Sequence, residues 1–120
     1  MAKVLIHIHT GPSDPTKAAL GCLVAATALK EGHETDLFLA GDGTHLLAPA
    51  TIASLEGLGT GRLADHLAVF RDLGGRIHVS GLSAKARGYD AAILEGWPAQ
   101  FAMPDVLVRL ATAADTVLCY

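Results

Sequence analysis

Short apolar runs alternate along the chain with segments whose apolar residues recur every three or four positions, a pattern that predicts strands and helices in turn. Lys3 to His9 is a first strand, apolar except where His7 and His9 interrupt it. In the loop Thr10 to Thr16, Asp14 followed by Pro15 marks a helix start, and the helix runs from about Thr16 to Lys30 before stopping at Gly32. Its Ala, Leu and Val residues and Cys22 leave almost no polar face, which predicts burial against the sheet on one side and another subunit on the other. Thr35 to Ala40 is a second buried strand, closed by the turn Gly41-Asp42-Gly43-Thr44. Thr44 to Gly61 holds Pro49 and further glycines, and predicts short helical pieces forming a mobile cover. Arg62 to Leu73 puts Leu63, Leu67 and Phe70 on one helical face and ends at Gly74-Gly75. Ile77 and Val79 suit a buried strand, Gly81 lets the backbone bend, and Ser83 is the expected cap of a short helix carrying Lys85 and Arg87. Periodicity leaves Tyr89 to Glu95 open between helix and strand, and Trp97 to Phe101 is a short strand. Pro104 opens a helix that buries Val106, Leu107 and Leu110, and Thr116 to Tyr120 closes the chain as a strand. This alternation predicts a three-layer α/β/α fold on a mostly parallel sheet of about five strands.

Composition narrows the setting. With 120 residues the chain is a single domain spanning 1–120, long enough to bury one core. A net charge of −3 makes the summed field repel phosphates, so nucleic acid is excluded as a general partner. The apolar opening is broken by histidines before it reaches membrane or signal-peptide length, so no membrane partner is expected and the protein reads as cytoplasmic. Cys22 and Cys119 lack framework spacing and read as buried free thiols. Trp97 and Tyr120 read as packing residues, because a base-stacking platform would need basic neighbours.

In a parallel sheet, loop Thr10 to Thr16, turn Gly41 to Gly43 and loop Ser80 to Arg87 converge at the carboxyl ends of the strands. The candidate ligand-binding set is therefore His9, Thr10, Gly11, Asp14, Gly41, Asp42, Gly43, Ser80, Gly81, Ser83 and Arg87. Small residues, amide donors and one guanidinium suit a small anion or polar metabolite. The competing reading is that these residues only make turns, with Arg87 paired to Asp14 or Asp42. His7, His9 and His78 would give three imidazoles for a metal, but no acid or cysteine is placed beside them, so no metal is assigned. No cofactor is assigned either: Thr10 to Thr16 lacks a Gly-rich phosphate pattern, which weighs against a nucleotide-binding flavodoxin-like protein. Ser80 or Ser83 with His9 or His78 would make an activated nucleophile, without a nucleophile-elbow motif or an orienting acid.

The run Ser80-Gly-Leu-Ser83-Ala-Lys-Ala-Arg87-Gly88 resembles the DsrE/DsrF-like, or YchN-like, family, whose subunits often carry a Cys-x-x-Cys-Ala-x-x-Arg-Gly run after an inner strand. The likeness extends to Gly11-Pro12-Ser13-Asp14-Pro15, to the Gly-Asp-Gly turn, and to Ala114 to Leu118. It implies the YchN-like fold and assembly into homotrimers or homohexamers. In that family the second cysteine is the candidate sulfur carrier, whereas both matching positions here are serine, which has no persulfide chemistry. The resemblance thus implies an accessory, non-catalytic member related to sulfur-relay proteins, binding a small anion or a partner protein at Ser80 to Arg87. The alternative is an enzyme of another class using His9, Ser83 and Arg87.

Overall fold

The computed structural model describes residues 1–120. Strand β1 (Lys3–Ile8) leads into helix α1 (Pro15–Lys30), whose start is fixed by the Asp14 carboxylate accepting the Lys17 N–H and by Pro15 in the first turn. Strand β2 (Glu34–Leu39) is followed by a 3-10 turn at Gly41–Leu47, helix α2 (Pro49–Ser54), and a two-residue ribbon of β3 (Glu56–Gly57) with β4 (Gly61–Arg62). Helix α3 (Leu63–Asp72), strand β5 (Arg76–Ser80) and helix α4 (Gly81–Ala86) come next. A 3-10 turn at Ala91–Leu94 settles the ambiguous segment, and strand β6 (Ala99–Ala102), helix α5 (Pro104–Ala113) and strand β7 (Thr116–Cys119) complete the chain.

Five strands form one parallel sheet in the order β6-β5-β2-β1-β7. Alternation along each strand divides the core. Ile6, Ile8, Leu37, Leu39, Ile77 and Val79 join the larger cluster with residues of α1 and α3, whereas Leu5, Phe38 and Ala102 meet Val106, Leu107 and Leu110 of α5. The three-layer α/β/α expectation holds.

Three local expectations change. The segment after β2 is a packed cover: Leu46, Leu47 and Leu55 are buried, and the ribbon is tied to α1 by Leu58 N–H donating to Thr16 Oγ1 and Thr60 Oγ1 donating to Thr16 O, both at 3.0 Å. Helix α1 finds its burial inside the chain, against the sheet, α3 and this ribbon, so its apolar composition does not itself require a second subunit. Cys119 is exposed while Cys22 is buried. The reason is topological: β7 is an edge strand paired only with β1, and all four of its residues are exposed. Burial pushes the Cys22 thiol up to about 12, which keeps it protonated and inert. No helix is long and apolar enough to cross a membrane.

Candidate functional site

The carboxyl ends of β1, β2 and β5 bring the three expected loops together because two glycines permit backbone-to-backbone contact. A Cβ on Gly11 would run into the Asp42 carbonyl, and one on Gly43 would run into the Ile8 carbonyl. Gly41, at φ +55°, turns the chain so that its N–H donates to Ser83 Oγ at 2.8 Å. Ser80 Oγ accepts the Ser83 N–H at 3.1 Å, so Ser80 is the cap of α4 and Ser83 is not. With serines three residues apart, the capping role falls to the one at the strand end, leaving the other free to bridge to the neighbouring turn.

Arg87 reaches Asp42 through Nε at 3.1 Å and Nη2 at 2.9 Å, and Nη1 donates to the Ser83 carbonyl at 3.2 Å. The guanidinium is thus engaged within the loop cluster, the competing reading of Arg87. Gly11, Gly41, Asp42, Gly43, Ser80, Ser83 and Arg87 are drawn together, with exposed His9 bordering Gly41 and half-buried Thr10 following it. Asp14 is not part of this set; its carboxylate is spent on its own helix. Gly81 lies beside Met103 and Phe101 at the end of β6. Asp42 lines a shallow groove of 320 Å³ with Pro12, Ser13, His45 and Thr51, whereas Ser80, Gly81, Ser83 and Arg87 line none.

The histidines do not converge. His7 and His9 rings lie 5.5 Å apart, but Phe38 stands between His7, at 5.8 Å, and His78, at 6.2 Å. No three His, Cys, Asp or Glu side chains are placed to hold a metal ion. Burial, with a smaller push from His9, holds the His7 imidazole below its ordinary value and therefore neutral. The serine nucleophile also lacks its geometry. Both hydroxyls bond to backbone, and His78 Nε2 faces Asp36 Oδ1 at 2.9 Å instead.

Two groupings escape sequence reasoning. On the face beneath α5, Arg76 grips Asp36 through Nε at 2.8 Å and Nη2 at 2.9 Å and bonds Glu34 at 2.6 Å, with His78 on the same carboxylate. Burial pushes the Asp36 carboxyl up, but the hydrogen bonds from Arg76 and His78 outweigh it and hold the group well below the usual carboxylate range. A signal for this existed: Asp36 is a charge inside a buried strand, and Arg76 and His78 alternate on the next. The other grouping joins His45 Nδ1 to the Tyr89 hydroxyl at 2.6 Å, with His45 Nε2 3.9 Å from Asp42. No local pattern links positions 44 residues apart.

The DsrE/DsrF-like family model matches residues 2–120 of the chain. No curated protein sequence matches it. Among solved structures, the crystal structure of the ychN protein from E. coli is 15% identical, covers 100% of both chains and superposes with a TM-score of 0.81. A conserved protein of unknown function, BT1422 from Bacteroides thetaiotaomicron, is 13% identical over 99% of this chain and 95% of its own, with a TM-score of 0.72. At those identities the likeness is one of fold.

Proposed function

The chain belongs to the DsrE/DsrF-like family, and from that premise we propose that it is an accessory member related to sulfur-relay proteins, recognising a partner protein at the Ser80–Arg87 loop instead of carrying sulfur there. The observation that carries this reading is the engagement of the two serine hydroxyls. Each accepts a backbone N–H, from Gly41 at Ser83 and from Ser83 at Ser80, so both shape the loop. Neither bonds to an imidazole base, and a hydroxyl forms no persulfide. With Arg87 bound to Asp42, its planar guanidinium is not open to a small anion. The one cation left unpaired on the loop, exposed Lys85, has no second charge beside it to hold one, which favours the partner protein of the two expected ligands.

Beside exposed Lys85, the loop and the adjoining end of β6 present apolar side chains outward. Leu82 is 56% exposed, Met103 48% and Phe101 38%, and the latter two flank Gly81 at the end of edge strand β6. Exposed apolar side chains beside an open strand edge suit a protein surface. Assembly into a trimer or hexamer belongs to the same proposal. An enzyme working through His9, Ser83 and Arg87 has less support, since Ser83 and Arg87 are already engaged within the loop.

A photo-crosslinking amino acid at position 82, introduced in cells that naturally make the protein, tests the docking surface. The expected result is a discrete adduct joining this chain to a different protein. An adduct containing this chain alone, or none, contradicts partner recognition at this loop.

A further inference from the structure

Independently of the partner reading, the geometry points to Tyr89 as an activated phenol, a nucleophile that takes acyl groups from small uncharged esters with His45 as its base. The Tyr89 hydroxyl and His45 Nδ1 lie 2.6 Å apart, and the two rings meet edge to face at 5.4 Å. On the far side of the imidazole, Nε2 lies 3.9 Å from the Asp42 carboxylate, outside hydrogen-bond length but within its electrostatic field. A carboxylate on that side favours the tautomer with the proton on Nε2, which leaves the Nδ1 lone pair to accept the phenol proton. The order carboxylate, imidazole, hydroxyl is the arrangement that activates oxygen nucleophiles, here with phenol in the place of an alcohol. Arg87 bonds Asp42 Oδ1, the same oxygen that faces His45, and so keeps the carboxylate in place beside the ring.

The pair sits on a ridge between two grooves. Tyr89 lines one of 210 Å³ together with Pro49, Ala92 and Ile93, and His45 lines the 320 Å³ groove with Pro12 and Thr51. The smaller groove has room for a short acyl chain and an apolar wall to hold it. Asp90 lines it as well, and its carboxylate accepts the Ala92 N–H. That negative charge disfavours anionic acyl donors, so the ligand class is an uncharged ester.

In the reaction the phenol oxygen attacks the ester carbonyl, forming the tyrosyl O–acyl bond as the ester C–O bond breaks. The phenol proton passes to His45 Nδ1; an alkoxide leaves by taking that proton from the imidazolium, whereas a stable phenolate leaves as the anion and the imidazolium gives its proton to solvent, so His45 is neutral again in either case. Water, deprotonated by His45, then attacks the acyl-tyrosine and returns the free phenol and the carboxylic acid.

The probe is 4-nitrophenyl acetate on the native protein, with acetylation mapped by peptide mass spectrometry. Tyr89 in the folded chain is expected to gain one acetyl group at least about tenfold faster than the same tyrosine in the urea-unfolded chain, since general-base assistance commonly contributes ~10² or more. His45→Gln should remove that advantage while acetylation of the lysines stays unchanged. Tyr89→Phe should abolish the mark at position 89 and lower nitrophenolate release accordingly. Equal rates for folded and unfolded Tyr89 overturn the proposal with no variant needed. So does an undiminished rate in His45→Gln whose melting temperature matches wild type, because the hydrogen bond is then only structural.

Discussion

Gly43→Ala is expected to lower stability by about 3 kcal/mol, the upper part of the usual range for forcing an atom into a packed interior. The new methyl would meet the Ile8 carbonyl oxygen well inside contact distance, with the Ile8 carbonyl carbon at 2.9 Å. Both partners are backbone, so no side chain can swing away. Relief requires parting the end of β1 from the turn after β2, where the Ala40 N–H donates to the Ile8 carbonyl at 3.0 Å. Gly59→Ala is the comparison: its added methyl meets nothing, and only its φ of +76° opposes the change. That substitution should cost about 1 kcal/mol, the strain of a left-handed backbone. Urea denaturation of both variants checks the order. A Gly43→Ala protein as stable as Gly59→Ala would mean that the loops do not meet as described.

The second large effect is expected at Asp36. At neutral pH, Asp36→Ala removes the acceptor of both Arg76 and His78 and should cost about 2–3 kcal/mol, the penalty for stranding a buried polar group. The His78 ring supplies most of this, since its Nδ1 is already buried without a partner and Nε2 would join it. Arg76 supplies less: its side chain is 53% exposed and turns to water and Glu34. The pH dependence has a definite sign. The Asp36 carboxyl is held below the usual range in the folded protein, so its contribution is fully present above the unfolded value near pH ~4 and is lost as acid protonates it. His7, held below the ordinary imidazole value, also weakens the fold in acid, starting below pH ~6.5. Because His7 is common to both proteins, its contribution cancels in the gap between wild type and Asp36→Ala, which reports on Asp36 together with its partners. Denaturation curves from pH ~7 to pH ~3 should show that gap narrowing once pH falls below ~4. A gap that stays constant, or widens in acid, contradicts the bonding at Asp36.

Much of the architecture was legible because local chemistry and tertiary packing agree. Asp14-Pro15 starts α1, Gly74-Gly75 follows α3, and Pro104 opens α5, each as its residue type requires. The misreadings arise where position within the sheet decides. Val117 and Leu118 have the composition of a core strand, but the chain places β7 at an edge, so Cys119 is exposed. The residues from Leu46 to Leu55 looked like a loose cover because Pro and Gly mark boundaries without showing what lies between; there the buried leucines dock on the core. At the site, convergence of the glycine turns followed from strands running parallel. That Arg87 chooses Asp42 over Asp14 did not, since it depends on a pairing across loops. The His45–Tyr89 pair was invisible for the same reason.

The most direct measurement is sulfur transfer from polysulfide to cyanide, followed as thiocyanate, for the wild-type protein beside Ser83→Cys. The variant replaces the hydroxyl that accepts the Gly41 N–H with a thiol in the same loop. The expected result is no wild-type turnover above buffer, with sulfane sulfur mapped to position 83 in the variant. Wild-type thiocyanate formation above buffer would contradict an accessory role and show that the chain carries sulfur itself.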